Sequence, residues 1–437
     1  MASGNDPRLE SLFAGITARR DALIALTTDL IKIPTVNPPG ACYREICGYL
    51  DARLKQIGFN TELLRATGAL GDSKTYPRWN IVARREGQDS QQSPGPCIHF
   101  NAHIDVVPPG QGWQYDPFGA TRKGDRIYGR GACDMKGGLA SAIIAAEAFI
   151  ECYPDYTGAI EISGTADEES GGFGGVAWLA EQGYFNPERV GHVIIPEPLN
   201  KDRICLGHRG VWWAEIETKG RIAHGSMPFL GDCAVRHMGA VLAEIEQTLI
   251  PALAKRHTAM PVVPTPARQS TLNINSIHGG LPESQQDATG FPSACVPDRC
   301  MITIDRRYLI EENPDAIKQE IENLLERIKQ RRPDFSYEVR ELFEVRPIMI
   351  DKSAPIAAAT ARAIEAVMDK KPQYVISPGT YDQKHIDRIG KLHNCIAYGP
   401  GILELAHQPD EWISIDDMTT SAKVMGHTLA QLLAPGA

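Results

Sequence analysis

The sequence predicts an α/β protein in which a mainly parallel sheet, covered by helices on both faces, is interrupted by an inserted α+β domain. Three observations lead to this fold class: the length of the chain, the alternation of helix and strand patterns in its first half, and a β-α-β-β-α-β order near its middle. A chain of 437 residues exceeds the size at which one hydrophobic core usually splits. We therefore expect a larger domain formed by residues 1–206 and 345–437, with a smaller one inserted over residues 207–344.

The first half of the chain alternates helical and strand patterns. Apolar residues recur at helical spacing from residue 8 to residue 33, where Pro34 ends the pattern. Further helices are predicted over Glu45–Ile57, Gly138–Ile150 and Gly175–Gln182. Strands are predicted at Asn60–Leu64, Asn80–Arg84, Cys97–Ala102, Ala159–Thr165 and Val190–Ile195. Strand–helix–strand order with near-continuous apolar strands is typical of a mainly parallel sheet.

The pattern changes near Gly207. Val211–Thr218 alternates apolar and polar residues, as an antiparallel strand with one buried face does. The elements that follow are a helix at Cys233–Leu253, strands at Ser270–Ile277 and Cys300–Tyr308, a helix at Pro314–Arg331 and a strand at Phe335–Glu341. Helices at Ile356–Val367 and Thr419–Leu433 then return to the larger domain.

The composition is that of a globular protein with a large core. Hydrophobic residues make up 43% and charged residues 23% of the chain, and the formal net charge is −9. This balance argues against nucleic acid or an anionic membrane as a partner, because either favours a basic surface. We find no secretory signal pattern, and the longest apolar helix pattern, Gly138–Ile150, is too short to span a bilayer. Ten cysteines without a Cys-x-x-Cys pair complete the expectation of a reduced, soluble, cytoplasmic protein.

Two polar clusters lie at the ends of elements in the first half. His103 and Asp105 follow the strand Cys97–Ala102 and share one face, where a carboxylate can fix the tautomer of a metal-binding imidazole. The alternative for this pair is an ordinary polar strand end. Asp134 lies among the four glycines of the stretch Gly129–Gly138, and glycine is used where the backbone must bend or approach another group closely. The alternative is that Asp134 only caps the following helix.

Three glutamates and a second histidine form the remaining candidates. Glu168 and Glu169 come after the strand Ala159–Thr165, and Glu197 follows the next predicted strand. Ligands of open α/β sheets bind at such carboxyl ends of strands. On a solvated loop the glutamate pair would have no function, and a lone histidine such as His407 is more often an ordinary surface or core residue.

The joint pattern of these residues predicts a dinuclear zinc site. One zinc ion would be held by His103, Asp134 and Glu197. The other would be held by Asp134, Glu169 and His407, so that Asp134 bridges the two ions. Each ion would then have three protein ligands and one open position for water, as a catalytic zinc requires. Cobalt or manganese would also fit these ligands.

Two carboxylates remain without a metal ion in this scheme. Glu168, beside the two ions, lies where a general base belongs. Asp105 would hold the second nitrogen of His103. The sequence therefore predicts Glu168 and Asp105 as catalytic residues in addition to the five ligands.

Five motifs occur in an order that resembles a known family. They are His103-x-Asp105, Gly131-Ala-Cys-Asp-Met-Lys-Gly137, Asp167-Glu-Glu-Ser170, Glu197-Pro198 and the stretch Gly399–His407. Together they resemble the dinuclear zinc aminoacylase/carboxypeptidase family, and in particular its acetylornithine deacetylase and succinyl-diaminopimelate desuccinylase branch. The resemblance covers nearly the whole chain. It implies a zinc-peptidase-like larger domain and a deacylase that cleaves the amide bond of a small N-acyl amino acid or related N-acylated amine.

The resemblance also implies roles for individual residues. Glu168 takes a proton from water at the metals and delivers it to the leaving amine, and a cis peptide bond follows Asp134. The inserted domain acts as a lid and joins two chains in a homodimer. His224, in Ala223-His-Gly-Ser-Met-Pro228, matches a lid histidine that stabilises the oxyanion, in many members across the dimer. Arg307 matches an arginine that binds a substrate carboxylate.

Two departures from the family pattern fall in the expected substrate pocket. Relatives in this branch commonly carry asparagine where this chain has Ala294, and Gly-Thr-Ser-Asp-x-Arg where this chain has Gly379-Thr-Tyr-Asp-Gln-Lys384. We expect Gly379, Thr380 and Lys384 to contact substrate, but lysine cannot reproduce the two-pronged grip of arginine on a carboxylate. The substrate is therefore less well defined than the reaction. A deformylase, a hydrolase of another small C–N bonded compound at the same site, or a dipeptidase remains an alternative.

Other classes of protein fit the sequence less well. The stretch Gly172–Ala177 matches the dinucleotide-binding pattern of a nicotinamide-dependent dehydrogenase, but Glu168 and Glu169 beside it would repel a pyrophosphate. A serine hydrolase is disfavoured because the chain contains no Gly-x-Ser-x-Gly turn. A non-catalytic binding protein on this scaffold would be expected to lack a ligand or the base, and all of them are present.

Overall fold

The computed structural model describes residues 7–88, 96–280 and 294–435. These residues form two compact units. The first unit comprises the described residues up to Gly207, Ile350–Val375 and those from Tyr381 onward, and the second comprises His208–Met349 and Ile376–Thr380. Within the described ranges, none of the helices combines the length and the apolar character needed to cross a membrane.

The chain up to His208 contributes five helices and eight strands to this description. The helices are α1 (Pro7–Ala18), α2 (Arg20–Lys32), α3 (Tyr43–Gln56), α4 (Gly137–Cys152) and α5 (Trp178–Glu181). The strands are β1 (Asn60–Arg65), β2 (Trp79–Glu86), β3 (Cys97–His103), β4 (Thr121–Lys123), β5 (Arg126–Tyr128), β6 (Ala159–Thr165), β7 (His192–Ile195) and β8 (Arg203–His208). Irregular turns at Ala132–Lys136 and Phe173–Ala177 lead into α4 and α5, and a short 3-10 turn spans Glu168–Ser170.

The second unit has the predicted β-α-β-β-α-β order. Its elements are β9 (Gly210–Lys219), α6 (Ala234–Glu244), α7 (Ile250–Leu253), β10 (Thr271–Gly279), β11 (Arg299–Tyr308), α8 (Pro314–Arg331), β12 (Ser336–Val345) and β13 (Ile348–Met349). The four long strands form an antiparallel sheet in the order β10-β11-β9-β12. Alternate residues of β9 and β11 are buried and join α6 and α8 in one apolar core, which is why these strands show period-two sequences.

The remaining elements belong to the first unit, except that the last two residues of β14 lie in the second. They are α9 (Pro355–Met368), β14 (Gln373–Ser377), α10 (Gln383–Arg388), β15 (Cys395–Ala397), β16 (Trp412–Ser414) and α11 (Ile415–Leu433). The strand β16 pairs with β5, and β5 with β4, in a small antiparallel sheet that the sequence did not predict. Three-residue strands carry too little periodicity to be recognised.

The main sheet of the first unit is mixed. Its strands follow the order β1-β2-β6-β3-β7-β15-β8. The central pairs β6–β3, β3–β7 and β7–β15 are parallel, while β1–β2, β2–β6 and β15–β8 are antiparallel. The predicted α/β class is confirmed, with parallel pairing confined to the centre. Every residue of β3 and β6 is buried, so helices or loops cover both faces there.

The predicted first helix is divided in the structure. Pattern analysis expects one helix from residue 8 to residue 33, whereas α1 ends at Ala18 and α2 begins at Arg20. Arg19 has φ −88° and ψ 11°, which interrupts the helix without a proline or glycine. The apolar spacing continues through the break because α1 and α2 both pack on α4.

Candidate active site

The central parallel strands bring the predicted polar residues to one edge of the main sheet. His103 is the last residue of β3, Glu168 and Glu169 follow β6, Glu197 follows β7, and His407 lies beyond β15. Because parallel strands point the same way, their carboxyl ends share an edge. Asp134 reaches the same place from the turn before α4, and the peptide bond from Asp134 to Met135 is cis, as expected from the family resemblance.

Asp134 lies between the two histidines. Its Oδ1 is 3.0 Å from Nε2 of His103, and its Oδ2 is 3.5 Å from Nε2 of His407. His407 Nε2 is also 3.1 Å from Oε1 of Glu169. Ligand atoms of His103, Asp134 and Glu169 all lie within 4.8 Å of one another, so these three residues could hold a metal ion. Each Asp134 oxygen faces a different histidine, which is the arrangement expected of a carboxylate shared by two ions.

The candidate ligands include three carboxylates, and the two histidines cannot neutralise all of their negative charge. Burial raises the pKa of Glu197 well above its usual range, and the Asp134 carboxylate adds to that shift. Burial likewise raises the pKa of Glu169 to about 7. Hydrogen bonds to Asp134 and Glu169 raise the pKa of His407 to about 10. Buried carboxylates in this number require cations, and imidazole with carboxylate is a ligand set that suits zinc. His103, Asp134 and Glu169 therefore fit a divalent metal ion.

Asp105 is fully buried and lies between His103 and the turn that carries Glu168 and Glu169. Its Oδ1 accepts the amide N–H of Glu168 at 3.2 Å, and its Oδ2 accepts the amide N–H of Glu169 at 3.1 Å and the Nδ2 of Asn37 at 2.9 Å. Nδ1 of His103 lies 3.0 Å from the backbone oxygen of Asp105 and 3.6 Å from its Oδ1. The backbone carbonyl is thus the nearer partner of His103, and the carboxylate fixes the turn that carries the two glutamates.

Glu168 points at a lysine. Its Oε1 lies 3.2 Å from Nζ of Lys384, and both side chains are nearly buried, at 11% and 3% exposed. Lys384 belongs to α10, whose preceding residue Asp382 accepts a hydrogen bond from Asn101 Nδ2 at 2.9 Å. Lys384, predicted as a substrate contact, is therefore also a direct neighbour of the predicted base.

Glu411 is a buried residue of the site that sequence analysis missed. Its Oε1 accepts the amide N–H groups of Cys133 at 2.8 Å and Asp134 at 3.1 Å. Its Oε2 lies 2.6 Å from Nη1 of Arg130. Glu411 thereby holds the turn that presents Asp134. It lies shortly after His407 in the chain, but no metal-ligand spacing distinguished it from an ordinary acidic residue.

Two glycines of the predicted motifs allow close packing around Pro196. A Cβ atom added to Gly138 would lie 2.0 Å from the Pro196 oxygen, and one added to Gly399 would lie 2.4 Å from the same atom. Real Cβ atoms do not approach oxygen so closely, and a backbone carbonyl cannot move aside as a flexible side chain can. The glycines therefore let the segments bearing Asp134 and Glu197 and the stretch leading to His407 meet.

The other candidates lie in the second unit, apart from Lys384. His224 is exposed, and its Nδ1 accepts hydrogen bonds from the Oγ of Ser226 at 2.7 Å and from the Ser226 amide at 3.1 Å. Arg307 lies on β11 and forms two hydrogen bonds with Asp305, at 2.7 and 3.0 Å. Arg307 is thus already paired with a carboxylate of its own strand, and the roles predicted for His224 and Arg307 remain predictions.

The segment with Gly379 and Thr380 is partly buried in the second unit. The Gly379 amide donates to Ser377 Oγ at 3.3 Å, and a Cβ atom on Gly379 would meet no atom within 4 Å. Arg209 supports this segment by donating from Nε to the Pro378 oxygen at 3.0 Å. Ala294, where relatives commonly carry asparagine, is exposed.

Comparison with protein families gives a match over most of the chain. The model of peptidase family M20/M25/M40 matches residues 99–431, which include every predicted site residue. Succinyl-diaminopimelate desuccinylase of Polynucleobacter necessarius is 28% identical over 420 residues, covering 94% of this chain and 100% of that protein. The enzyme of the same name from Pseudoalteromonas atlantica is 29% identical over 419 residues, covering 94% and 99%.

Solved structures with the same fold include two dipeptidases. Human carnosine dipeptidase 1 has a TM-score of 0.76 at 19% identity, covering 98% of this chain and 99% of that one. The di-peptidase Dug1p of Saccharomyces cerevisiae has a TM-score of 0.75 at 17% identity, covering 96% and 98%. At these identities the likeness concerns the fold. The rival interpretation of Gly172–Ala177 as a dinucleotide-binding loop has no counterpart in these matches.

Proposed function

Because the chain belongs to peptidase family M20/M25/M40, we propose that it is a two-zinc deacylase of a small N-acyl amino acid or a related N-acylated amine. Family membership makes it a metal-dependent hydrolase that acts on amide or peptide bonds. The observation that carries the finer proposal is the position of Asp134, whose two carboxylate oxygens lie 3.0 Å from His103 Nε2 and 3.5 Å from His407 Nε2, with Glu169 3.1 Å from His407.

The proposed ligands divide between two ions. His103 and Glu197 would serve one ion, Glu169 and His407 the other, and Asp134 both. When bound, two such ions supply Lewis acidity, lowering the pKa of water and polarising the substrate carbonyl. Zinc is proposed because nitrogen and oxygen donors with three protein ligands per ion suit it. Metal analysis of purified protein tests this identity, and predominance of cobalt or manganese would replace zinc in the proposal.

The remaining steps belong to side chains of the chain itself. Glu168 accepts a proton from the attacking water and then donates it to the leaving amine, which needs a carboxylate within hydrogen-bond reach of both. Asp105 keeps Glu168 in place through its hydrogen bond to the Glu168 amide. His224 donates to the oxyanion, and Arg307 binds a carboxylate of the substrate.

The desuccinylase relatives support an N-acyl substrate, since their name describes removal of an acyl group from an amine. The departures at Ala294 and Lys384 argue that the acyl group or the amine differs from theirs. A dipeptidase is the second candidate, favoured by the fold of carnosine dipeptidase 1 and Dug1p. Both reactions cleave an amide and would use the same central residues.

A substrate screen separates these candidates. Zinc-loaded protein would be assayed with N-formyl, N-acetyl and N-succinyl amino acids and with unblocked dipeptides, and the released amine would be measured. We expect an N-acyl compound to give the highest kcat/KM. Higher values for dipeptides would favour the second candidate, and the absence of metal-dependent amine release from all of them would contradict the proposal. The Glu168→Gln variant serves as the blank.

A homodimer formed through the second unit is part of the proposal. The segment that carries His224 exposes several large apolar side chains, with Phe229 at 77%, Ile222 at 57% and Leu230 at 55% exposed. Such a patch on one segment is typical of a protein interface. Light scattering coupled to gel filtration should give a molar mass twice that of one chain. The Phe229→Asp variant should give the mass of a single chain. A monomeric wild type would exclude the dimer.

A further inference from the structure

The contact between Lys384 and Glu168 has a role that the family comparison does not supply. The side chain of Lys384 is 3% exposed, and its ammonium nitrogen lies 3.2 Å from Glu168 Oε1. A buried ammonium loses its hydration and needs a charged or polar partner in return. In the described chain, Glu168 is the carboxylate within ion-pair distance of it.

The turn that leads to Lys384 contains a second buried acid, Asp382. Asp382 precedes Lys384 in the chain and is 1% exposed. The Oδ2 of Asp382 accepts hydrogen bonds from Asn101 Nδ2 at 2.9 Å and from Thr165 Oγ1 at 3.4 Å. The Lys384 amide donates to the Tyr381 oxygen at 3.1 Å, which starts α10. These hydrogen bonds therefore fix the backbone at the start of α10, from which the Lys384 side chain extends.

We propose that Lys384 is a positioning residue that holds the carboxylate of Glu168 in the orientation needed for proton transfer. This inference rests on the proposed function, since it presumes that Glu168 is the base. A lysine is suited to the task because its compact ammonium presents three rotatable donors and can follow a carboxylate between two positions. An arginine fork would grip the carboxylate in one plane and restrict that movement.

A contrasting role for Lys384 is contact with a substrate carboxylate, as its place in the family pattern implies. The two roles differ in what they change. Loss of a substrate contact raises KM, while loss of an interaction needed only for the chemical step lowers kcat. The two roles also predict different results in the Glu168→Gln variant. If Lys384 acts through Glu168, replacing Lys384 has no further effect on kcat once that carboxylate is removed.

The experiment is a double-mutant cycle with Lys384→Met and Glu168→Gln on metal-loaded enzyme, using the best substrate of the screen. We expect Lys384→Met to lower kcat about 10- to 100-fold, the range for residues that orient a catalytic group, with KM changed by less than about twofold. In the Glu168→Gln background the same substitution should have no further effect on kcat. Lys384→Arg, which keeps the charge but grips the carboxylate in one plane, should recover only part of the lost activity.

Two readouts do not depend on turnover. Metal content should equal that of the wild type, and a crystal structure of Lys384→Met should show the Glu168 side chain displaced or in more than one rotamer. Lys55→Met, which removes a surface ion pair with Asp51 on α3, is the matched control and should leave kcat unchanged. Unaltered stability to urea would show that Lys384→Met folds.

Several outcomes would overturn the inference. A raised KM with an unchanged kcat would assign Lys384 to the substrate, as would a loss that persists in the Glu168→Gln background. Wild-type kinetics for Lys384→Met, while Glu168→Gln is inactive, would remove the positioning role and leave the proposed function intact. Full activity of Glu168→Gln would instead contradict the proposed function itself.

Discussion

The two units hold their candidate residues in different ways. In the first unit, His103 and Asp105 are buried, and backbone amides, backbone carbonyls or carboxylates face their polar atoms. In the second unit, His224 is exposed and Arg307 is held by Asp305, two residues earlier in the chain. Residues that hold metals or move protons need fixed geometry, whereas residues that bind a substrate gain from adaptable side chains. The candidates in the second unit are therefore held less rigidly than His103 and Asp105.

Metal removal is expected to have the largest effect. Dialysis against a chelator should abolish hydrolysis, because the buried carboxylates around Asp134 would lose the ions that activate water. Adding zinc back should restore the activity of the wild type, followed by amine release, but not that of His103→Ala. Activity that survives chelation with no bound metal, measured by mass spectrometry, would contradict a metal centre in the first unit.

Loss of the base comes next. Glu168→Gln should lower kcat about 10²- to 10⁴-fold, the usual contribution of general base catalysis, because the amide cannot accept a proton. Metal content should stay at the wild-type value, since Glu168 is not among the proposed ligands. Loss of metal together with activity would move Glu168 from the base to the ligand set.

A substitution in the second unit tests whether its residues also take part in chemistry. His224→Ala should lower kcat about 10²- to 10³-fold, as removal of one oxyanion donor does, with metal content unchanged. His257→Ala, another exposed histidine of the same unit, is the control and should have wild-type kinetics. Equal rates for both variants would confine the chemistry to the first unit.

Removing Glu411, which holds the turn that carries Asp134, is expected to have the smallest effect on the rate. Glu411→Ala leaves the guanidinium of Arg130 buried without its carboxylate, and breaking such a pair costs about 3–5 kcal/mol of the free energy of unfolding. Metal affinity should fall about 10- to 100-fold, because Asp134 loses the acceptor of its amide. Urea unfolding and metal titration measure the two quantities. If neither the free energy of unfolding nor the metal affinity changed, the turn would keep its structure without Glu411.

Local signals determined which elements could be predicted. The helix α8 has the predicted bounds Pro314–Arg331 because Asn313 caps it, accepting hydrogen bonds from the amides of Asp315 and Ala316, and proline occupies its first position. The break at Arg19 carries no comparable signal. The strand β16 pairs with β5 across a long stretch of sequence, and its three residues show no pattern of their own.

The sequence predicted those site residues that the sheet topology brings to one edge. Strand ends in an α/β sheet meet at one edge, so His103, Glu169 and Glu197 could be grouped from the sequence. Glu411 could not, because it acts through backbone amides of a distant turn rather than through a spacing. The contact between Lys384 and Glu168 was also missed, since α10 is only six residues long and gives no periodicity from which to place a side chain.

The position of β15 has a consequence for biosynthesis. This strand, which precedes His407, fits into the main sheet between β7 and β8, two strands that leave the ribosome much earlier. Until residues 395–397 have emerged from the ribosome, the sheet has a gap at that place, and His407 emerges after them. A nascent chain therefore cannot assemble the complete centre. The proposed ligand set is therefore complete only near the end of synthesis, once His407 has emerged.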